Sequence, residues 1–309
     1  DLFTHRVSPC LTKVRHDGSD RSSTRVYDTS RPLGLRAGPE QEERHPMRIV
    51  YFVPGCLSCG PLGSSEIERR RVYLAERAFP GSSIDVRETP SGPASVESSI
   101  EEHLAVPGLL EAAPGLETEG FDAIVIGCFG DPGLVPAREL VGVPVIGPGQ
   151  ASAHVAAQLG LRFGILTVVP EVVPAIRRQM RGYGLEGLLA DVRAVDVPVL
   201  EIAERRDEVI AALEREGRAA LETGADALVL GCMTMGFLDA ADGLGRRLGV
   251  PVVNPVLAAL KAAEALVSAG LAPSRRAYPR PRKGPAATAP VRRAPETASR
   301  RPAEEPATR

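Results

Sequence analysis

Asp122-Ala123-Ile124-Val125-Ile126-Gly127-Cys128 and Asp226-Ala227-Leu228-Val229-Leu230-Gly231-Cys232 are one phrase written twice, with five of seven letters identical and the other two exchanging Ile for Leu. In each copy four apolar residues in a row read as a buried strand, and a glycine and a cysteine fall where that strand ends. The echo continues downstream. GVPVIGP at 142–148 answers GVPVVNP at 249–255, and an Ala-rich segment follows each. A strand, a Gly-Cys pair, a helix and a Val-Pro-Val strand, repeated, predict two similar lobes.

Working outward, strand-like runs occur at 48–53, 84–88, 123–127, 143–146, 162–168, 191–197, 226–231 and 250–253. Helical stretches fall between most of them, at 64–79, 96–111, 151–160, 170–181 and 201–222, and 258–269 closes the series. Alternation of this kind with apolar, β-branched strands predicts the α/β class, each lobe a mainly parallel sheet flanked by helices. The expected lobes are 47–147 plus the closing helix in 254–272, and 148–250, related by a pseudo-twofold with the active site in the cleft between them. Ligands of open α/β sheets sit at the carboxyl ends of the strands. Facing lobes would therefore set the two thiols across one cleft.

The ends have a different character. Residues 1–46 show no helical or strand period, and the tail at 276–309 interleaves proline with Arg, Ala and Glu; both are expected to be disordered. Met47, the first methionine, leads directly into a strand and is the expected natural start. Charge is divided too: 275–309 carry ten basic and three acidic side chains, 1–46 carry eight and seven, and 47–274 carry 19 and 29. An acidic body offers nothing to a phosphate backbone, which argues against nucleic acid as a partner. No apolar run approaches the roughly 20 residues that span a bilayer, so no membrane association is expected. Five unevenly spaced cysteines make no disulfide framework, and free thiols in a cytoplasmic protein are expected.

Free cysteine often packs as a small hydrophobe. Here each follows a glycine at a strand's end, at the same place in two repeats, which favours chemistry. After Cys128 the chain reads Phe129-Gly130-Asp131-Pro132-Gly133, and Asp-Pro has the form of an N-cap and first helical residue. A thiol just ahead of a helix start is biased toward thiolate, and the same N–H groups can hold an anionic oxygen. Two such thiols facing one substrate suit inversion of a stereocentre beside a carbonyl. The thiolate takes a proton from one face and the thiol returns one to the other.

These residues resemble the aspartate/glutamate/hydantoin racemase superfamily, and within it the hydantoin and allantoin racemases. GCFGDPGL at 127–134 is similar to that group's first cysteine motif, RETPSGPASVES at 87–98 to its Gly-Pro-x-Ser-x-Glu segment, and the section 244–271 to its C-terminal part. The resemblance implies a cofactor-independent two-base racemase with Cys128 and Cys232 as the acid/base pair, holding no cofactor and no metal, in a family whose members are often homo-oligomers. Backbone donors at Phe129-Gly130 and Met233-Thr234, with Pro54, Gly55 and Ser58 of the loop after the first strand, are the expected substrate contacts. The chain departs from the pattern where it has Val53-Pro54-Gly55 in place of Asn-Pro-Asn, Met233-Thr234-Met235 in place of small residues, and Gln150 in place of a glutamate. Amino-acid racemases of the superfamily carry Asn after the first cysteine and His two places after the second, where this chain has Phe129 and Thr234. A 5-substituted hydantoin or a related cyclic ureide such as allantoin is therefore the expected small-molecule substrate. A decarboxylase or cis-trans isomerase acting on a carboxylic acid is the alternative within the superfamily.

Three other readings compete. Cys56-Leu57-Ser58-Cys59 has the spacing of a thioredoxin-like redox motif, though ordinary loop cysteines would look the same. Gly147-Pro148-Gly149-Gln150-Ala151-Ser152 follows a strand and opens a helix as a dinucleotide fingerprint does, with Ser152 in place of the third glycine. A small-molecule receptor also has two lobes around a cleft, but it needs no pair of thiols.

Overall fold

A computed structural model describes residues 46–283. Nearly all of the expected leader, Cys10 with it, and the tail beyond 283 lie outside the described residues. Among the described residues, eight strands form two parallel four-stranded sheets. β1 (Arg48–Val53), β2 (Ser83–Glu88), β3 (Ala123–Ile126) and β4 (Val145–Ile146) stand in the order β2-β1-β3-β4. β5 (Phe163–Thr167), β6 (Leu189–Ala194), β7 (Ala227–Leu230) and β8 (Val252–Val253) repeat it as β6-β5-β7-β8. The repeat read from the letters is a repeat of topology.

Its letters have structural jobs. Asp122 accepts the Arg48 backbone N–H at 2.8 Å and so fixes the start of β1 against β3. Asp226 does the same for β5, accepting from the backbone N–H groups of Leu161 at 2.9 Å and Arg162 at 3.0 Å. At the other end the Gly127 N–H donates to the Phe52 carbonyl and the Gly231 N–H to the Leu166 carbonyl, both at 2.7 Å. A Cβ on Gly127 would lie 2.9 Å from the Tyr51 ring, and one on Gly231 would lie 2.8 Å from Ile165, so a side chain has no room at either crossing.

β4 and β8 are shorter than the expected 143–146 and 250–253, and proline is the reason. Pro144 and Pro251 have no N–H and offer only their carbonyls, which accept from Ile124 and Leu228 at 2.9 Å, as suits edge strands. The helices are α1 (Gly63–Ala75), α2 (Ser99–Thr118), α3 (Leu134–Leu140), α4 (Pro148–Leu159), α5 (Val173–Gly182), α6 (Arg206–Glu222), α7 (Met233–Gly236), α8 (Ala241–Leu248) and α9 (Pro255–Ser268). α2 runs past the expected end at 111, through Pro107 and Pro114. Each proline costs a backbone bond, but Ala105, Leu109, Ala113 and Leu116 keep one buried stripe and hold the helix together. α9 packs on the first sheet through Ala259, Leu260 and Ala263, α4 on the second through Ala153 and Ala156, and the two helices pack on each other.

The expected helix cap at Asp131 is overturned. Asp131 does not cap the helix that follows it: α3 starts at Leu134, and Asp131 sits in the left-handed region at φ 56°. Its buried carboxylate instead accepts the N–H groups of Gly149 at 2.9 Å and Gln150 at 2.8 Å, in the first turn of α4, and the Tyr183 hydroxyl at 2.6 Å. This ties the loop after β3 to two helices of the second half. Asp131→Ala is expected to cost about 2–4 kcal/mol from three lost bonds to a buried acceptor. Thermal unfolding followed by circular dichroism should then show a midpoint roughly 5–12 °C lower.

Candidate active site

Both Gly-Cys pairs open onto one pocket between the two sheets. Its walls include Pro54, Gly55, Cys128, Phe129, Gly130, Cys232, Met233 and Thr234, so the structure brings eight of the nine expected site residues together. Ser58 is not among them. Its N–H donates to the Glu88 carboxylate at 3.0 Å and its hydroxyl to the same group, which turns it toward β2. Gly55 is held close to a second wall: the Cys56 N–H donates to the Pro93 carbonyl at 3.2 Å, and a Cβ on Gly55 would lie 2.3 Å from that oxygen.

Arg70, Glu102 and Gln179 are polar residues of the pocket that were not read from the sequence. Arg70 of α1 is only 2 % exposed; its Nε donates to Glu66 at 2.8 Å and its Nη2 to the Thr234 hydroxyl at 3.0 Å. Glu102 of α2 lines the wall near Cys128 and Gly130. Gln179 of α5 donates to the Phe129 carbonyl at 2.7 Å, while its Oε1 is buried without a partner. The helical period could have flagged one of them. The buried stripe of α1 is Glu66, Arg70, Tyr73 and Leu74, so two charges occupy core-facing positions.

The thiols have unequal surroundings. Burial pushes the Cys128 thiol up to about 12; the Gly130 N–H pulls it down, and the charges of Glu102, Cys232 and Asp131 push it further up. Burial raises Cys232 too, but more groups oppose it: the N–H groups of Met235 and Thr234, the Arg70 guanidinium and the Thr234 hydroxyl. The helix that was expected to favour thiolate at Cys128 begins too late to do so. A charge on Cys232 raises Cys128, so ionising one thiol disfavours ionising the other. Tyr51, buried beside both, is itself raised by desolvation and stays a neutral phenol.

The competing motifs resolve differently. At Gly147–Ser152 the α4 N–H groups that would meet a pyrophosphate are already bonded to Asp131. Gly149 is needed because a Cβ there would lie 2.3 Å from the Phe129 carbonyl. That pattern is loop packing, not a nucleotide site. Cys56 and Cys59 form a disulfide across one turn, with Cα atoms 5.2 Å apart, so the expectation of free thiols fails at these two positions. Among the described residues no group of three or more His, Cys, Asp or Glu is placed to hold a metal ion, and no helix is long and apolar enough to cross a membrane.

Two like sheets with a thiol from each at a common pocket define an α/β enzyme built by internal duplication. Residues 57–263 match the model of the Asp/Glu/Hydantoin racemase family, and the chain belongs to that family. It is 44% identical over 192 residues to a hydantoin racemase of Rhizobium meliloti, covering 61% of this chain and 79% of that one. It is 34% identical over 231 residues to the hydantoin racemase of Paenarthrobacter aurescens, covering 74% and 94%. Among solved structures, the allantoin racemase from Klebsiella pneumoniae superposes with a TM-score of 0.69 at 35% identity, covering 77% of this chain and 94% of that one. The protein is an isomerase of the racemase type.

The disulfide is directly checkable. When the denatured, unreduced protein is treated with iodoacetamide, peptide mass spectrometry should find Cys128 and Cys232 modified and Cys56 and Cys59 protected. Dithiothreitol should release both of the protected residues for modification.

Proposed function

We propose that the protein racemises a 5-substituted hydantoin or a related cyclic ureide such as allantoin, without a cofactor, using Cys128 and Cys232 as its two bases. The observation that carries this reading is the thiol pair: one strand-end sulfur from each sheet, on one pocket, with a charge on Cys232 felt at Cys128. The ring carbon that bears the substituent lies beside a carbonyl. When a thiolate takes its proton, the C–H bond breaks, an S–H bond forms, and the electron pair delocalises onto that carbonyl oxygen. The opposite thiol then delivers its proton to the other face, which leaves the inverted centre and a thiolate on the second sulfur. Backbone N–H groups of the loops at Phe129–Gly130 and Met233–Thr234 are the candidate donors to the oxygen that gains charge.

A neutral ring suits these walls better than a carboxylic acid does. Val53, Leu57, Val168, Ile176 and Val199 supply apolar surface, and Glu102 places a carboxylate near Cys128, where an acidic substrate would be repelled. Glu102 on the pocket wall offers an acceptor to a ureide N–H group. The names of the relatives, hydantoin and allantoin racemases, point to the same substrate class.

A single enantiomer of a 5-substituted hydantoin, and separately of allantoin, is incubated with the protein in D₂O, with enzyme-free controls. Loss of the ring proton by NMR and loss of optical rotation are followed together. Racemisation of either compound is expected, and Cys128→Ser or Cys232→Ser should lower it by at least about a hundredfold, as removal of a general base does. If neither compound exchanges its proton, the substrate class is wrong. The pH profile carries a sign as well. Because burial holds both thiols above their ordinary value, the thiolate fraction grows with pH, and kcat/KM should climb from pH 7 toward pH 9.

A further inference from the structure

The Gly-Pro-x-Ser-x-Glu letters fall on Gly92-Pro93-Ala94-Ser95-Val96-Glu97, between β2 and α2, and the proposed proton transfers use none of them. Yet Pro93, Ala94, Ser95, Val96 and Ser98 all line the pocket. Both ends of this segment are anchored to the first half. At the near end the Thr89 N–H donates to the Gly55 carbonyl and the Cys56 N–H to the Pro93 carbonyl, both at 3.2 Å. The Thr89 hydroxyl donates to the Ser91 carbonyl at 2.7 Å. At the far end Ser98 caps α2, its hydroxyl accepting the Glu101 N–H at 3.3 Å. The Glu101 carboxylate accepts in return from the Ser98 hydroxyl at 3.1 Å and the Glu97 N–H at 2.6 Å.

Between the anchors the chain has little of its own to hold it. Among the described residues, Ala94, Ser95 and Val96 make no backbone-to-backbone hydrogen bond. Gly92 is exposed at φ 127°, a conformation that glycine alone adopts freely, and supplies a swivel at one end. The Glu97 carboxylate ties the span down. One of its oxygens accepts both the Ser95 hydroxyl at 2.9 Å and, from the second half, the Val199 N–H at 3.1 Å. Val199 starts a single turn of 3-10 helix, and Pro198 before it offers no side-chain cap, so Glu97 is the group that satisfies this N–H. Val199 is itself a pocket residue, so one carboxylate oxygen joins two pocket walls. Nearby, Arg178 of α5 donates to the Ser99 hydroxyl at 3.1 Å, an exposed second tie between the halves.

Cys232 is buried and Cys128 half-buried in this arrangement. A ring that is to meet both sulfurs has to pass a wall, and the span 94–96 is a wall with no backbone ladder to break. We propose that residues 92–98 form a lid on the pocket, hinged at Gly92 and at the Ser98 cap, and that Glu97 is the latch that holds it shut on Val199. Opening breaks the bond to the Val199 N–H and leaves both anchors intact, so the lid moves without disturbing either sheet. Ser95 travels with Glu97, because both lie on the lid, and keeps the carboxylate oriented for reclosure. The inference concerns access to the pocket and does not depend on which substrate is turned over or on how its proton is moved.

The test needs no substrate. Alkylation of Cys128 and Cys232 by iodoacetamide in the folded protein at pH 8 is timed by peptide mass spectrometry, and amide hydrogen exchange is followed in the same variants. Glu97→Ala should speed alkylation of both thiols by about tenfold, the worth of one hydrogen bond to a charged group. Exchange should quicken in peptides covering 91–98 and 196–202, while those of β1, β3, β5 and β7 keep the parent's protection. Glu97→Gln keeps an accepting oxygen and loses the charge, which halves the bond, so its alkylation should stay within about threefold of the parent. Unchanged alkylation in Glu97→Ala overturns the proposal, and so does faster exchange spread evenly over both sheets, which would mean general loosening. Glu97→Gln as reactive as Glu97→Ala overturns it too. None of these results bears on proton exchange by the parent protein in D₂O, which tests the two-base reading separately.

Discussion

Everything at the pocket depends on one backbone hydrogen bond made twice. At the end of β3 the Gly127 N–H reaches the Phe52 carbonyl, and at the end of β7 the Gly231 N–H reaches the Leu166 carbonyl. Each bond draws the chain against the neighbouring strand at a point where a Cβ would strike Tyr51 or Ile165. Glycine alone permits it, and the next residue must leave the sheet at a fixed place. That residue is cysteine in both copies. With the aspartate clamps at the other end, each seven-letter phrase is a short strand pinned at both termini. This explains which letters the copies share. Asp, Gly and Cys each have a specific job, whereas the exchange of Ile for Leu between them alters only packing.

This is also why so much was legible in the sequence. Strand ends, Gly-Cys pairs and Val-Pro-Val edges are local features, and local features show in letters. The residues adjoining the strand ends, Pro54, Gly55, Phe129, Gly130, Met233 and Thr234, all reach the pocket because the strand delivers them there. What escaped notice lies on helices or depends on long-range pairing. Arg69-Arg70-Arg71 looks like a solvated run of like charge. Only the buried register of Glu66, Tyr73 and Leu74 reveals that the middle arginine faces inward. Ser58 adjoins a strand end as well, but Glu88 thirty residues away claims its hydroxyl. Asp131 was misread for a similar reason. Asp-Pro normally starts the next helix, and no local signal says that the carboxylate will cap a helix eighteen residues downstream instead.

Asp131 also bears on how the rival readings fall. A dinucleotide site needs the first N–H groups of a helix free to meet a phosphate. In α4 an internal carboxylate occupies them, so the glycines there serve close packing of the Phe129 loop. The same bond holds Phe129 and Gly130 against the second half, and the Gln179 amide bonded to the Phe129 carbonyl adds a second tie. The loop that carries Cys128 is thus anchored to both halves of the molecule. On the proposed two-base reading Cys128 transfers a proton, and positioning it calls for that kind of support.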